Sequence, residues 1–212
     1  MAKNTIPTDD GVASRVAAQT LAKRGADYAT EVRRLLDAAV TVIGKQGTTS
    51  RARVADIVAE AGLSNDAFYR HFESKEALVS ALLEDGADRL ARYLDHQMGK
   101  EASPDGKIRR WVEGVFAQTN ARTAATTLAV LWNGSGVGIG MSAGRHDASA
   151  QLAPLLHEPF TALGCSSPEV VASLVAHATV GKMADYLWSE TRPTRDEIER
   201  ITKFCIDAAT AG

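Results

Sequence analysis

The chain has 212 residues, 45% of them hydrophobic, and its 24 Lys and Arg nearly balance 26 Asp and Glu, for a formal net charge of −2. That length buries a substantial core in one domain or two, and the small net charge argues against a protein that coats nucleic acid without regard to sequence. No apolar run approaches the roughly 20 residues that cross a bilayer, and Met1 to Asp10 lack the apolar centre of a secretory signal. A cytoplasmic protein with no membrane partner is expected. The charge is also uneven: residues 1–75 hold 11 Lys and Arg against 9 Asp and Glu, and residues 76–212 hold 13 against 17. Any affinity for nucleic acid must then come from a few placed cations and be salt-sensitive.

Residues 1–27 contain Pro7, Gly11 and Gly25 and only a weak helical pattern from Val12 to Leu21. They read as a mobile N-terminal arm, either a solvated tail or a strand of chain whose Lys23 and Arg24 follow a nucleic-acid backbone. Val32, Leu36, Ala39, Val40 and Ile43 then make an apolar stripe, predicting a helix from near Thr30 to just before Gly47. Next, Val54, Ile57, Val58 and Ala61 fall at i, i+3, i+4 and i+7. Gly62 can take the left-handed conformation that ends this second helix. Ser64 is a suitable N-cap for a third, with Leu63 before it and Phe68 four positions inside as a hydrophobic staple. Two short helices joined at Gly62-Leu63 are helix-turn-helix grammar, and the second has the width of a DNA major groove.

With Leu35-Leu36-Asp37-Ala38-Ala39 and Gly47 upstream, and Tyr69-Arg70-His71-Phe72 followed by Ser74-Lys75-Glu76-Ala77-Leu78, the stretch from about Glu31 to Leu83 resembles the DNA-binding domain of the tetracycline-repressor (TetR) family. The resemblance implies an all-α fold: a three-helix helix-turn-helix domain (28–75), joined by a long helix to a C-terminal helical domain (76–212) that binds a small molecule and dimerises. It nominates Arg51, Arg53, Ser64, Asn65, Ala67, Tyr69, Arg70, His71 and Lys75 as DNA contacts. Tyr69 and His71 either touch phosphate or simply pack. The sequence departs from the family at Arg53, where a Ser or Thr usually caps the first motif helix; Thr49 or Ser50 is the expected substitute cap, with Arg51 and Arg53 offered to phosphate.

After Phe72, Ser74 caps a long helix striped by Val79, Leu82, Leu83, Gly86, Leu90, Tyr93 and Leu94 and ending near Gly99. Ser103-Pro104 opens another, an apolar segment runs from Ala124 to Trp132, and a glycine-rich loop spans 134–144. Helices follow over about His146–Leu163, Ser167–Ser189 and Thr194–Ala209, the last with a capping box, Thr194-x-x-Glu197. Trp111, Phe116, Trp132, Met141, Leu155, Leu156, Phe160, His177 and Met183 are either ordinary core or the lining of an effector cavity, with His177 or His146 as a polar guide. Leu174, Ala178, Gly181 and Trp188, with Ile198, Ile201 and Cys205, are the expected dimer interface, two helices from each protomer forming a four-helix bundle.

Two motifs compete with this reading. Gly138-x-Gly140-x-x-Ala143 fits a loose dinucleotide fingerprint, with Thr126–Trp132 as its strand, but the other segments carry helical periods. Gly140-Met141-Ser142-Ala143-Gly144 matches a nucleophile elbow literally, making a serine hydrolase using Ser142 the rival function, yet strands to build its sheet are missing. A helical interaction protein that no longer reads DNA is the third alternative. No histidine pair at i, i+4 has a third ligand, Cys165 and Cys205 lack metal spacing, and no metal, cofactor or catalytic residue is expected. The sequence thus reads as a homodimeric, ligand-responsive regulator of transcription, most simply a repressor. A small apolar or aromatic effector would release it from a double-stranded DNA operator.

Overall fold

The computed structural model describes residues 10–134 and 148–211, and among these there is no strand. The helices are α1 (Asp10–Gln46), α2 (Val54–Ala61), α3 (Asn65–His71), α4 (Lys75–Met98), α5 (Pro104–Phe116), α6 (Ala121–Gly134), α7 (His157–Ala162), α8 (Pro168–Trp188) and α9 (Arg195–Thr210). Most ends follow local chemistry. Ser64, Ser74 and Ser103 each accept a hydrogen bond from the backbone N–H three residues on, and Thr194 and Glu197 form a complete capping box.

Two of the expected boundaries need correction. The first helix starts at Asp10, not near Thr30: residues 11–30 are exposed helix, carried by six alanines whose propensity offsets Gly11 and Gly25. The cap expected from Thr49 or Ser50 is also absent. Arg53 occupies the N-cap of α2 with no side-chain hydrogen bond to the helix, and the Thr49 hydroxyl donates instead to the Gln46 carbonyl.

The apolar side chains gather in two cores. One joins Leu35, Leu36, Ala39 and Ile43 of α1 with Ile57 and Val58 of α2, Phe68 and Phe72 around α3, and Leu78, Val79 and Leu82 of α4. The other surrounds Trp111, with Leu94 and Met98 of α4, Val112 and Val115 of α5, Leu156, Phe160, Val175 and Val180. At about 1.5 Å per residue, 24-residue α4 is about 36 Å long and enters both cores. Helix α6 bridges them a second time: Ala129 is enclosed in the first core, while Leu128 and Leu131 pack on the second. The segment read as a strand in the dinucleotide alternative, Thr126–Trp132, is the middle of this helix.

Candidate functional site

The turn between α2 and α3 is built on Gly62, at φ 62° and ψ 38°. Its N–H donates to the Ala59 carbonyl and that of Leu63 to the Val58 carbonyl, the paired bonds of a Schellman motif. Arg34, which sequence reasoning passed over, donates to the Ala61 carbonyl at 2.6 Å and the Gly62 carbonyl at 3.2 Å. A guanidinium at these carbonyls satisfies acceptors that α2 leaves open and opposes its negative end. The turn angle between the two motif helices is thereby tied to α1.

The far end of α3 is fastened as firmly. Tyr28 donates its hydroxyl to the Arg70 carbonyl at 2.7 Å and meets the His71 ring edge-on at 4.0 Å between centroids. Glu31 takes Arg70 at 3.0 Å and His71 Nε2 at 2.7 Å. The hydrogen bond from His71, then that from Arg70, holds the Glu31 carboxyl below its ordinary value of 4.5.

These contacts sort the nominated DNA residues. Asn65 and Tyr69 are exposed one helical turn apart, Tyr69 to 59%, with its ring edge-on to buried Phe68. Arg70 is exposed but shares Glu31, and Ser64 is exposed with its hydroxyl accepting from the Ala67 N–H. Lys75 lies in the first turn of α4, its side chain only 18% exposed. Two nominations are corrected. Ala67 is buried at 4%, turned inward beside Phe68, and the His71 side chain has no exposed surface between Tyr28 and Glu31, so neither faces outward. Arg53 forms a two-pronged pair with Asp56 at 2.9 Å, and Arg51 lies over the Trp132 ring, 5.2 Å from its centroid.

That stacking marks a second join between the cores. The Asn133 side chain, 1% exposed, accepts from the Ala52 N–H at 3.0 Å and donates to the Ala129 carbonyl at 2.9 Å. The connection leading into α2 is therefore pinned to the last turn of α6.

Between α1, α4, α6 and α8 lies a cavity of about 210 Å³. Carbon dominates its wall, through Val40, Leu83, Leu90, Val130 and Val180 among others, with Gly86 and Ala184 leaving room. Gln118, Thr126, Thr127 and Arg89 supply the polar groups. Of the expected lining among the described residues, Met183 alone is found there. Trp111, Phe116, Leu156 and Phe160 are fully enclosed in the second core, with the Trp111 N–H donating to the Leu152 carbonyl at 3.1 Å, and Leu155 packs at its edge. Trp132 sits under Arg51, His177 is exposed, and Met141, His146 and Ser142 lie outside the described residues. Gly86 and Ala184, on separate helices, help to leave this space, and no signal local to either helix points to it. A further cleft of about 310 Å³ is rimmed by Glu190, Thr191 and Arg192.

The outer face of α8 exposes Leu174 at 66%, Ala178 and Trp188 at 38%, with half-buried Gly181 in the same stripe. Val170 extends the stripe by one turn at 62%, and Phe204 of α9 stands exposed at 54%; neither was nominated, although i, i+4 spacing from Leu174 points to Val170. Cys205 is corrected. It is fully enclosed in its own protomer, its sulfur 3.9 Å from the Thr179 hydroxyl, and burial pushes its thiol up to about 11. Ile198 and Ile201 are half-buried against the same core.

A helix-turn-helix braced by a third helix thus sits on a helical body that carries an apolar pocket open to solvent. Residues 35–82 match the model of the family described as bacterial regulatory proteins, tetR family. Solved structures share the fold. One is a TetR transcriptional regulator from Rhodococcus sp. RHA1, with TM-score 0.60 and 17% identity over 87% of this chain and 96% of that one. Another is RolR in complex with resorcinol, with TM-score 0.64 and 14% identity over 86% and 89%. A third is the regulator FadR from Bacillus subtilis in complex with stearoyl-CoA, with TM-score 0.57 and 14% identity over 85% and 98%. No curated protein matches the chain significantly. Among the described residues no helix is long and apolar enough to cross a membrane.

Proposed function

We propose that the chain is a homodimeric repressor whose DNA affinity is switched by a small, mostly apolar effector in the 210 Å³ cavity. Residues 28–75 act as the reading head and residues 76–212 as the effector and dimerisation unit. The observation that carries this reading is that α1, α4 and α6 wall the cavity and also pack the core beneath α3. Paired through the α8 stripe and Phe204, two heads present α3 to successive major grooves, about 34 Å apart on a twofold-symmetric site. Asn65 reads base edges, while Tyr69 and Lys75 hold phosphates and set the register. An effector that fills the cavity prefers a pose in which α6 and α4 shift. Because Asn133 grips Ala52, that shift moves the head. By linkage, DNA weakens the effector by the factor with which the effector weakens DNA. The bound RolR and FadR structures lend support, since proteins of this fold hold small molecules.

The test is a titration at fixed salt on a duplex selected from random sequence. Tyr69→Ala with Lys75→Ala should weaken binding to every site and flatten the salt slope, and Asn65→Ala should relax preference at one position by about 1–3 kcal/mol. Leu174→Glu should give a monomer that loses site-specific binding. Full affinity in a folded Tyr69→Ala, Lys75→Ala variant would overturn the assignment.

A further inference from the structure

At the cavity, charge is distributed unequally. Arg89 is the charged residue of the lining, and no carboxylate and no aromatic ring lines it among the described residues. Arg89 reaches Asp85 at 2.6 Å, but Asp85 is already engaged: Arg33 of α1 grips both its oxygens at 3.1 and 3.2 Å. Two guanidiniums therefore share one carboxylate beside an apolar wall, and Asp85 cannot engage the whole donor fork of Arg89 while Arg33 holds both its oxygens. A guanidinium carries five N–H donors in a fork suited to a second carboxylate.

We propose that the cavity selects a small carboxylic acid with an apolar body, its carboxylate taking Arg89 while Asp85 keeps Arg33. This rests on the cavity being the effector site. The ligand's carboxylate takes the donors of Arg89 that Asp85 does not engage. The apolar body lies against Val40, Leu90, Val130 and Val180. Gln118 and Thr127, which make no side-chain hydrogen bond among the described residues, remain for water or a further polar group of the ligand. A cationic ligand meets neither carboxylate nor aromatic face, the two features that recognise ammonium groups. Arg89 is thus a specificity-determining residue, acting by charge and fork geometry. Its side chain is 54% exposed, so the discrimination is moderate and screened by salt.

Calorimetric titration of the full chain tests this with matched series on two skeletons, octyl and 3-phenylpropyl, each as carboxylate, alcohol and ammonium. The acid should bind about three- to tenfold more tightly than the alcohol, with the ammonium weakest. Arg89→Met should erase the acid's lead and leave the alcohol's affinity in place. Asp85→Asn, which frees Arg89, should strengthen the acid further, and both variants are checked for wild-type helical content. An alcohol that equals its acid in the wild type, an acid preference that survives Arg89→Met, or a panel in which nothing binds each overturns the proposal. Failure of DNA binding would sink the regulator reading without altering these titrations.

Discussion

At the C-terminal end of α3, side chains hold one another: Tyr28 grips the Arg70 backbone, Glu31 takes Arg70 and His71, and Arg34 closes the turn at Ala61 and Gly62. Along the cavity the reverse holds, since Thr126, Thr127 and Gln118 make no side-chain hydrogen bond among the described residues and Gly86 and Ala184 leave space between helices. On the proposed function Asn65 and Tyr69 must be presented in one geometry, because a misplaced contact discriminates nothing. An effector site gains from space and from polar groups that are not yet committed. The same helices serve both ends: α4 and α6 give Leu78, Val79, Leu82 and Ala129 to the core beneath α3 and also wall the cavity.

Removing the centre of the second core should have the largest effect. Trp111→Ala deletes a fully buried indole and leaves the Leu152 carbonyl without its donor, so chemical denaturation should show a loss of about 3–5 kcal/mol. The contrast predicts that the head's spectroscopic signature then outlasts the body's. Asn133→Ala addresses the join. It strands the buried Ala52 N–H and should cost about 1–3 kcal/mol, and the connection into α2 should exchange its amide hydrogens faster. Unchanged exchange at Ala52 would mean that α6 does not hold the head.

Glycine gives the sharpest internal comparison. A Cβ at Gly86 meets nothing within 4 Å, whereas one at Gly114 collides with the buried Leu94 side chain where α4 and α5 cross. Gly86→Ala should therefore raise stability by about 0.5–1 kcal/mol through helix propensity. Gly114→Ala should lower it through overpacking. Two losses of similar size would show the cavity to be closed in solution.

The smallest effect concerns pH. Glu31 is held below 4.5 in the folded head, so its contribution is present above that value and fades as pH falls through the lower folded one. Wild type should exceed Glu31→Gln in denaturant midpoint near neutrality, and the gap should close only below about pH 4.5. A gap that widens in acid would reverse the sign of the Glu31 contacts.

The head was legible in the sequence because its signals are local. Gly62, Ser64, Phe68 and Ser74 each act within four residues, and the structure uses them as their spacing implies. Reach across the fold was not legible. Nothing near His71 announces that Glu31, 40 positions earlier, encloses it, or that Arg51 leans on Trp132. The pocket between α1, α4, α6 and α8 was not legible for a related reason: apolar periodicity reports which face of a helix turns inward, but whether facing residues fill the space depends on pairs such as Gly86 and Ala184 on separate helices. Helix α1 was cut short because residues 11–30 are exposed and lack the buried stripe that marks Leu35 to Ile43, and the contacts that Tyr28 makes with α3 from that stretch leave no periodic signal.

The most direct test of the central claim is selection of duplexes from a random-sequence pool by the wild-type chain and by the Tyr69→Ala, Lys75→Ala variant at equal salt. The account predicts that the wild type enriches an inverted repeat with half-site centres about one helical turn, or a whole number of turns, apart. The variant should recover no common site while remaining folded and dimeric. A folded wild-type dimer that enriches nothing, or a variant that selects the same repeat equally well, would contradict it.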